Sequence, residues 1–162
     1  MNSSPGEQKS PGAAATFTLA PNAPIRLMPK ILVVTGGDAL PKALASAFRD
    51  VRLVVARAST LAAACELASS GEFQLVISDL ELADGSWKRL LEISRHCRVN
   101  FVIILAVRTV DVRQWAQVLE EGAFDVLDIE HDIPRVPEIA KRGLWAAYLM
   151  GAPLILPEGM VH

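Results

Sequence analysis

The chain is short of several things, and each shortage excludes a class of protein. Only two cysteines, Cys65 and Cys97, stand in 162 residues. They are too few and too far apart for a disulfide framework or a zinc cluster, and read as two free thiols of a reducing compartment. An excess of one charge is also missing. Sixteen Lys and Arg against eighteen Asp and Glu leave a net charge of -2, and no basic cluster offers a surface that could track phosphates, so nucleic acid is not an expected partner. No uncharged apolar run reaches the ~20 residues that crossing a bilayer needs, and no basic flank precedes an apolar segment at the N-terminus. A cytoplasmic protein without a membrane partner is the expectation.

What is present is a globular composition, 51% hydrophobic and 21% charged, with room for a core. Residues 1–29, rich in Ser, Pro, Gly and Ala without a sustained period, read as a disordered or weakly docked tail, touching the domain at most near Ile25 to Met28. From Lys30 to about residue 150, short apolar runs alternate with helix-period segments. The runs are 31–34, 51–56, 73–78, 101–107 and 124–129, rich in β-branched residues and short enough for strands. Between them the apolar positions recur at helical spacing: Leu40, Ala43, Leu44, Ala47 and Phe48; Leu61, Ala64, Cys65 and Ala68; Trp87, Leu90 and Leu91; Val112, Trp115, Ala116 and Leu119. Trp115, on such a stripe, is expected in the core. A fifth helix starts near Pro137. Five βα units with right-handed crossovers predict a flavodoxin-like, doubly wound α/β domain with five parallel strands in the order 2-1-3-4-5. In such a sheet the ends of the first and third strands meet at the crevice where ligands gather. Residues 35–38 (TGGD) should therefore face residues 78–85 (SDLELADG). Residues 151–162 read as a C-terminal tail, and no output domain is expected in the few residues after the last helix.

The segment 73–87, FQLVISDLELADGSW, delivers an Asp at the end of an apolar strand, followed by an Asp84-Gly85 turn. It resembles the third strand and following loop of a response-regulator receiver domain. FVIILAV (101–107) is similar to the receiver's fourth strand, and EGAFDVLDI (121–129) to the lead into its fifth. The resemblance covers residues 30 to about 150. It implies that Asp79 is the equivalent of the carboxylate that accepts a phosphoryl group from a histidine kinase or phosphotransferase. It also implies two metal-holding acids at the end of the first strand, a hydroxyl ending the fourth and a Lys in the fifth. This sequence has Thr35 and Gly36 at the acidic pair, Ala106 at the hydroxyl, Ile129 at the Lys, Glu130 at the following Pro and Val126 at the aromatic position of the fifth strand. One carboxylate beside a Thr hydroxyl is a poor Mg²⁺ site, and no fixed cation is expected beside Asp79.

Asp38 has two readings, an N-cap for the helix opening at Leu40 or, with Asp79, a metal-holding carboxylate. Gly36 and Gly37 lack the spacing of a nucleotide-binding loop and read as a sharp turn using positive φ. His96, His131 and His162 have no ligand spacing, and Lys88 and Arg89 read as solvated. On the last helix, Val136, Ile139, Ala140, Leu144, Ala147 and Tyr148 form a sheet-covering face, while Trp145, Leu149 and Met150 point elsewhere. They mark an interaction surface, either for a second copy or for the tail residues Leu154, Ile155 and Leu156.

The expectation is thus a degenerate, stand-alone receiver of bacterial type: no enzyme and no cofactor, but a protein-interaction module in two-component signalling. Its partners would be a histidine kinase or a downstream effector, with a homodimer through the last helix as a further option. Two alternatives stay open, an atypical response regulator still phosphorylated at Asp79, and a flavodoxin-like ligand binder or enzyme using the Thr35–Asp38 crevice.

Overall fold

The computed structural model describes residues 14–18 (backbone only), 29–109 and 111–152. Eight strands and five α-helices follow one another along these residues, with a 3-10 turn at Ile133–Arg135 before the last helix: β1 (Ala14–Thr18), β2 (Lys30–Val34), α1 (Ala39–Ala47), β3 (Val54–Ala58), α2 (Leu61–Ala68), β4 (Leu75–Asp79), β5 (Glu81–Leu82), β6 (Gly85–Ser86), α3 (Lys88–Cys97), β7 (Val102–Val107), α4 (Val112–Glu121), β8 (Asp125–Asp128) and α5 (Val136–Leu149). The main sheet has the order β1-β3-β2-β4-β7-β8. Its five parallel members, β3-β2-β4-β7-β8, are the 2-1-3-4-5 arrangement expected from the sequence.

The apolar runs form strands because both faces are covered. Ile31, Val33, Leu75, Ile77 and Ile104 point into one core layer with α1 and α5. Leu32, Val34, Val76, Ile103 and Leu105 point into the other with α2, Trp87 and Leu90. Alternation at period two sends neighbours to opposite sides. α5 approaches the sheet closely at Gly143, where an added Cβ would lie 3.0 Å from Leu75 Cδ1 and 3.2 Å from Val102 Cγ2.

Four expectations are corrected. First, the second apolar run, placed at 51–56, pairs only over Val54–Ala58. Val51 and Leu53 are buried in the preceding turn, and the ladder starts where the Val54 amide donates to the Pro29 carbonyl. Second, residues 14–18, read as tail, form a strand antiparallel to β3, because the open edge of β3 offers backbone partners that composition does not report. Third, α4 is far less covered than its stripe implied. Only Val118 is buried, with Trp115 41% and Val112 72% exposed. Fourth, Tyr148 lies outside the sheet-covering face, its ring edge-on to Trp145 with centroids 5.9 Å apart. The docking near Ile25 to Met28, the cover by Leu154 to Leu156, and His162 lie outside the described residues. No helix among the described residues is long and apolar enough to cross a membrane.

Candidate functional site

The crevice is built from the carboxyl ends of β2, β4 and β7. Asp79 ends β4, opposite Ala106 in the register, and is half-buried. Thr35 follows β2 directly and is itself buried, its amide donating to the Ala58 carbonyl at 3.0 Å. That anchoring aims the hydroxyl across the crevice, where Thr35 Oγ1 donates to Asp79 Oδ2 at 2.7 Å. The Gly37 amide in turn donates to Thr35 Oγ1 at 3.3 Å. Thr35 and Asp79 thus do come together, while Ala106 and Ile129 line the same cleft with no polar side-chain atom. The cleft holds about 160 Å³, below the several hundred Å³ usual for a cofactor or drug-sized ligand.

Asp38 stands at the N-cap position, its carbonyl accepting from the Lys42 amide, yet its side chain makes no cap bond. The carboxylate turns instead to Arg57, whose Nη1 donates to Asp38 Oδ1 at 3.1 Å and whose Nη2 donates to the Gly37 carbonyl at 2.6 Å. The capping expectation fails because Arg57, reaching over from β3, competes for the same carboxylate. An ion pair this exposed contributes little to stability, but it draws Asp38 away from Asp79. Gly36 and Gly37 also depart from expectation. Neither has positive φ, and a Cβ on either would meet nothing within 4 Å, so no turn geometry or close approach requires a glycine there.

The Asp84-Gly85 turn serves the fold. β5 and β6 form a small hairpin whose Asp84 carboxylate accepts from the amides of Leu61 at 2.8 Å and Ala62 at 3.0 Å. Thr60 Oγ1 accepts from Ala63. Three of the four donors that the first turn of α2 leaves unpaired are thereby satisfied. The two amides hold the Asp84 carboxyl below the usual carboxylate range. Gly85, at φ 145°, packs so closely that a Cβ would sit 3.0 Å from Leu61 Cδ1.

Two arginines escaped the sequence reading. Arg57 sits inside a strand that was expected to end before it. Arg108, the first residue after β7, is exposed and lines the cleft with Asp79, so the cleft has a basic residue at its rim. At the mouth of α5, His131 Nδ1 lies 2.9 Å from Asp128 Oδ2. Burial pushes the Asp128 carboxyl up, but the His131 ring and the amides of Glu130 and His131 together hold it below its usual value. The same contact raises His131. Cys65 is buried, which raises its thiol, and Cys97 is exposed.

No protein-family model matches the sequence, and no curated protein matches it. Solved structures do match. The signal receiver domain of a candidate LuxO repressor protein from Vibrio parahaemolyticus superposes with a TM-score of 0.67 at 22% identity, over 75% of this chain and 94% of that one. The receiver domain of an HD domain-containing protein from Pseudomonas fluorescens gives 0.66 at 22%, over 78% and 94%. A CheY-like receiver from Methanospirillum hungatei gives 0.63 at 19%, over 76% and 99%. The fold is that of a receiver domain.

Receivers hold Mg²⁺ beside their acceptor carboxylate, and the residues of this crevice do not fit that ion. Mg²⁺ needs near-octahedral oxygen ligation anchored by carboxylates. Among the described residues Asp79 is the only carboxylate lining the cleft, one of its oxygens already accepts a hydrogen bond from the Thr35 hydroxyl, and Asp38 is held by Arg57. Among the described residues no group of three or more His, Cys, Asp or Glu comes together as a metal site.

Proposed function

We propose that this receiver fold works as a protein-interaction module in two-component signalling, without conventional Mg²⁺-dependent phosphorylation. The observation that carries the reading is the Thr35–Asp79 hydrogen bond at 2.7 Å. It gives the acceptor-equivalent carboxylate a neutral partner at the position where the resemblance calls for acids and a metal. With Ala106 and Ile129 supplying neither hydroxyl nor ammonium, two donors that would meet the charge on a transferring phosphoryl group are missing. The test is incubation with acetyl phosphate and Mg²⁺, followed by intact mass. The expected result is an unchanged mass, and rapid stoichiometric gain of one phosphoryl group, abolished in Asp79→Asn, would overturn it.

Arg108 favours a second reading, phosphorylation at Asp79 without the metal. In that reaction a carboxylate oxygen of Asp79 forms the new P–O bond as the bond to the acyl oxygen breaks and acetate leaves, with Arg108 facing the developing charge. Gain of a phosphoryl group in the presence of EDTA, lost in Arg108→Ala, would establish it.

The interaction surface supported best is the flank built by α4, β8 and α5. Val112 and Trp115 stand exposed there, and a groove of about 310 Å³ runs between Trp115, Val126, Arg135, Ile139 and Arg142. Trp145 is exposed on the outer face of α5, whereas Leu149 and Met150 border a wider groove of about 590 Å³ with Leu91, Leu119 and Phe124, at the amino ends of β7 and β8. These surfaces suit a kinase, an effector or a second copy. Light scattering at rising concentration reads the last of these, with self-association expected to fall in Trp145→Glu. A monomer throughout removes the homodimer from the proposal.

A further inference from the structure

The outer edge of the sheet is covered in a way that five parallel strands do not require. β1 pairs antiparallel with β3 in unbroken register, from Ala14 opposite Ala58 to Thr18 opposite Val54. On its other side β3 carries β2 in parallel, from Lys30 opposite Val54 to Val34 opposite Ala58. Thr18 and Lys30 therefore flank the same residue, about 10 Å apart at the ladder spacing of a sheet. Residues 19–29 join them, and a connection of that length reaches roughly 36 Å when extended. The tether is several times longer than the gap.

We propose that the outer edge of β3 is a strand-acceptor site, filled in cis by Ala14–Thr18 on a tether long enough to release it, and open to the same segment of a second copy. An uncovered edge presents a row of unpaired N–H and C=O groups that bind any extended segment able to match them. The segment AATFT carries no charge and is the one sequence seen to fit that edge. A connection of this length holds it at an effective concentration on the order of millimolar, so the cis pairing dominates in dilute protein. A strand in trans takes the edge once the cis strand is disabled.

The acceptor edge also shares a residue with the crevice. Arg57, opposite Ala15 in the ladder, is the side chain that grips Gly37 and Asp38 beside Asp79. Its Nε is buried without a hydrogen-bond partner. An exchange at this edge is therefore felt at the loop that bears Thr35.

The test uses two full-length variants, Thr16→Pro and Phe17→Pro. Neighbouring residues of a strand direct their N–H groups to opposite sides, so one proline removes a ladder donor and the other faces away. Hydrogen exchange is followed at Val54–Ala58, with Leu75–Asp79 in the sheet centre reporting that the domain stays folded. In one variant the edge amides are expected to exchange about tenfold faster or more, the size of a lost hydrogen bond, while the other variant behaves as wild type. The probe is a labelled peptide of residues 12–20, GAAATFTLA. It should bind the opened variant at least about tenfold more tightly than wild type and restore protection at the edge. Equal protection of Val54–Ala58 in all three proteins would overturn the proposal. So would failure of the peptide to bind the opened variant, or equal binding of a scrambled peptide.

Discussion

The two flanks of the sheet are finished in opposite ways. On the β3 side an antiparallel strand lies on the edge, α2 buries Leu61, Ala64, Cys65 and Ala68, and Trp87 is 2% exposed within that layer. On the β8 side no further strand is seen among the described residues, α4 buries only Val118, and Trp115 is left 41% exposed. Both helices carry an apolar stripe at the same spacing. The difference teaches that a stripe states what a helix needs to cover, and not whether the fold covers it. On the β8 flank the fold leaves apolar side chains exposed, which is the observation behind the interaction surface proposed above.

The pair of tryptophans breaks or upholds this comparison most directly. Trp87→Ala should lower the unfolding free energy by about 3–5 kcal/mol, the usual cost of emptying a fully buried aromatic site. Trp115→Ala should cost less than about 1 kcal/mol, since little of its surface is lost from the core. Urea titrations of both variants read the two numbers, and similar values would contradict the asymmetry. A middle-sized effect belongs to α5. Gly143→Leu forces a side chain against Leu75 and Val102 and should destabilise by about 1–3 kcal/mol or more, through overpacking.

The flanks should also answer pH differently. The Asp84 carboxyl is held low by the amides of Leu61 and Ala62, so its contribution is complete above the ordinary carboxylate range and is lost as pH falls through its lowered value. Asp84→Asn should flatten the acid limb of stability against pH, measured by denaturation below about pH 5. At the other flank, raised His131 contributes below the usual histidine value and loses that contribution as pH rises through its own raised one. Its partner Asp128, held low, contributes above the carboxylate range. The contact is therefore strongest between those limits. An NMR titration of the His131 ring should show its midpoint return towards the ordinary value in Asp128→Asn. An unchanged midpoint would show that the contact at 2.9 Å does not persist in solution. The smallest effect expected is Gly36→Ala. It fills open space at an ordinary φ and should be neutral or stabilising by about 0.4–1 kcal/mol, through the unfolded chain.

Much of the fold was legible because each element announces itself locally. ILVV, FVIILAV and the stripes of α1 and α2 needed only their own spacing to be read, and their alternation led to the strand order. The candidate site was half legible. The strand ends and the strand order pointed to the cleft that Thr35, Asp79, Ala106 and Ile129 do line together, whereas Gly36 does not line it. Arg57 and Arg108 were not found, since a long side chain acts far from its own backbone. Asp38 was misread for the same reason, with a partner 19 residues away outcompeting the cap beside it.

What the sequence by itself determined is the succession of five βα units, with the identities Thr35, Ala106 and Ile129 at the strand ends, because residue identity and period are local properties. Only the tertiary structure decided that Thr35 turns its hydroxyl onto Asp79, that Arg57 draws Asp38 aside, that Trp115 faces outward and that Ala14–Thr18 becomes a strand. Each of these depends on which partner lies within a few ångströms, and residues distant along the chain become neighbours only when the sheet assembles.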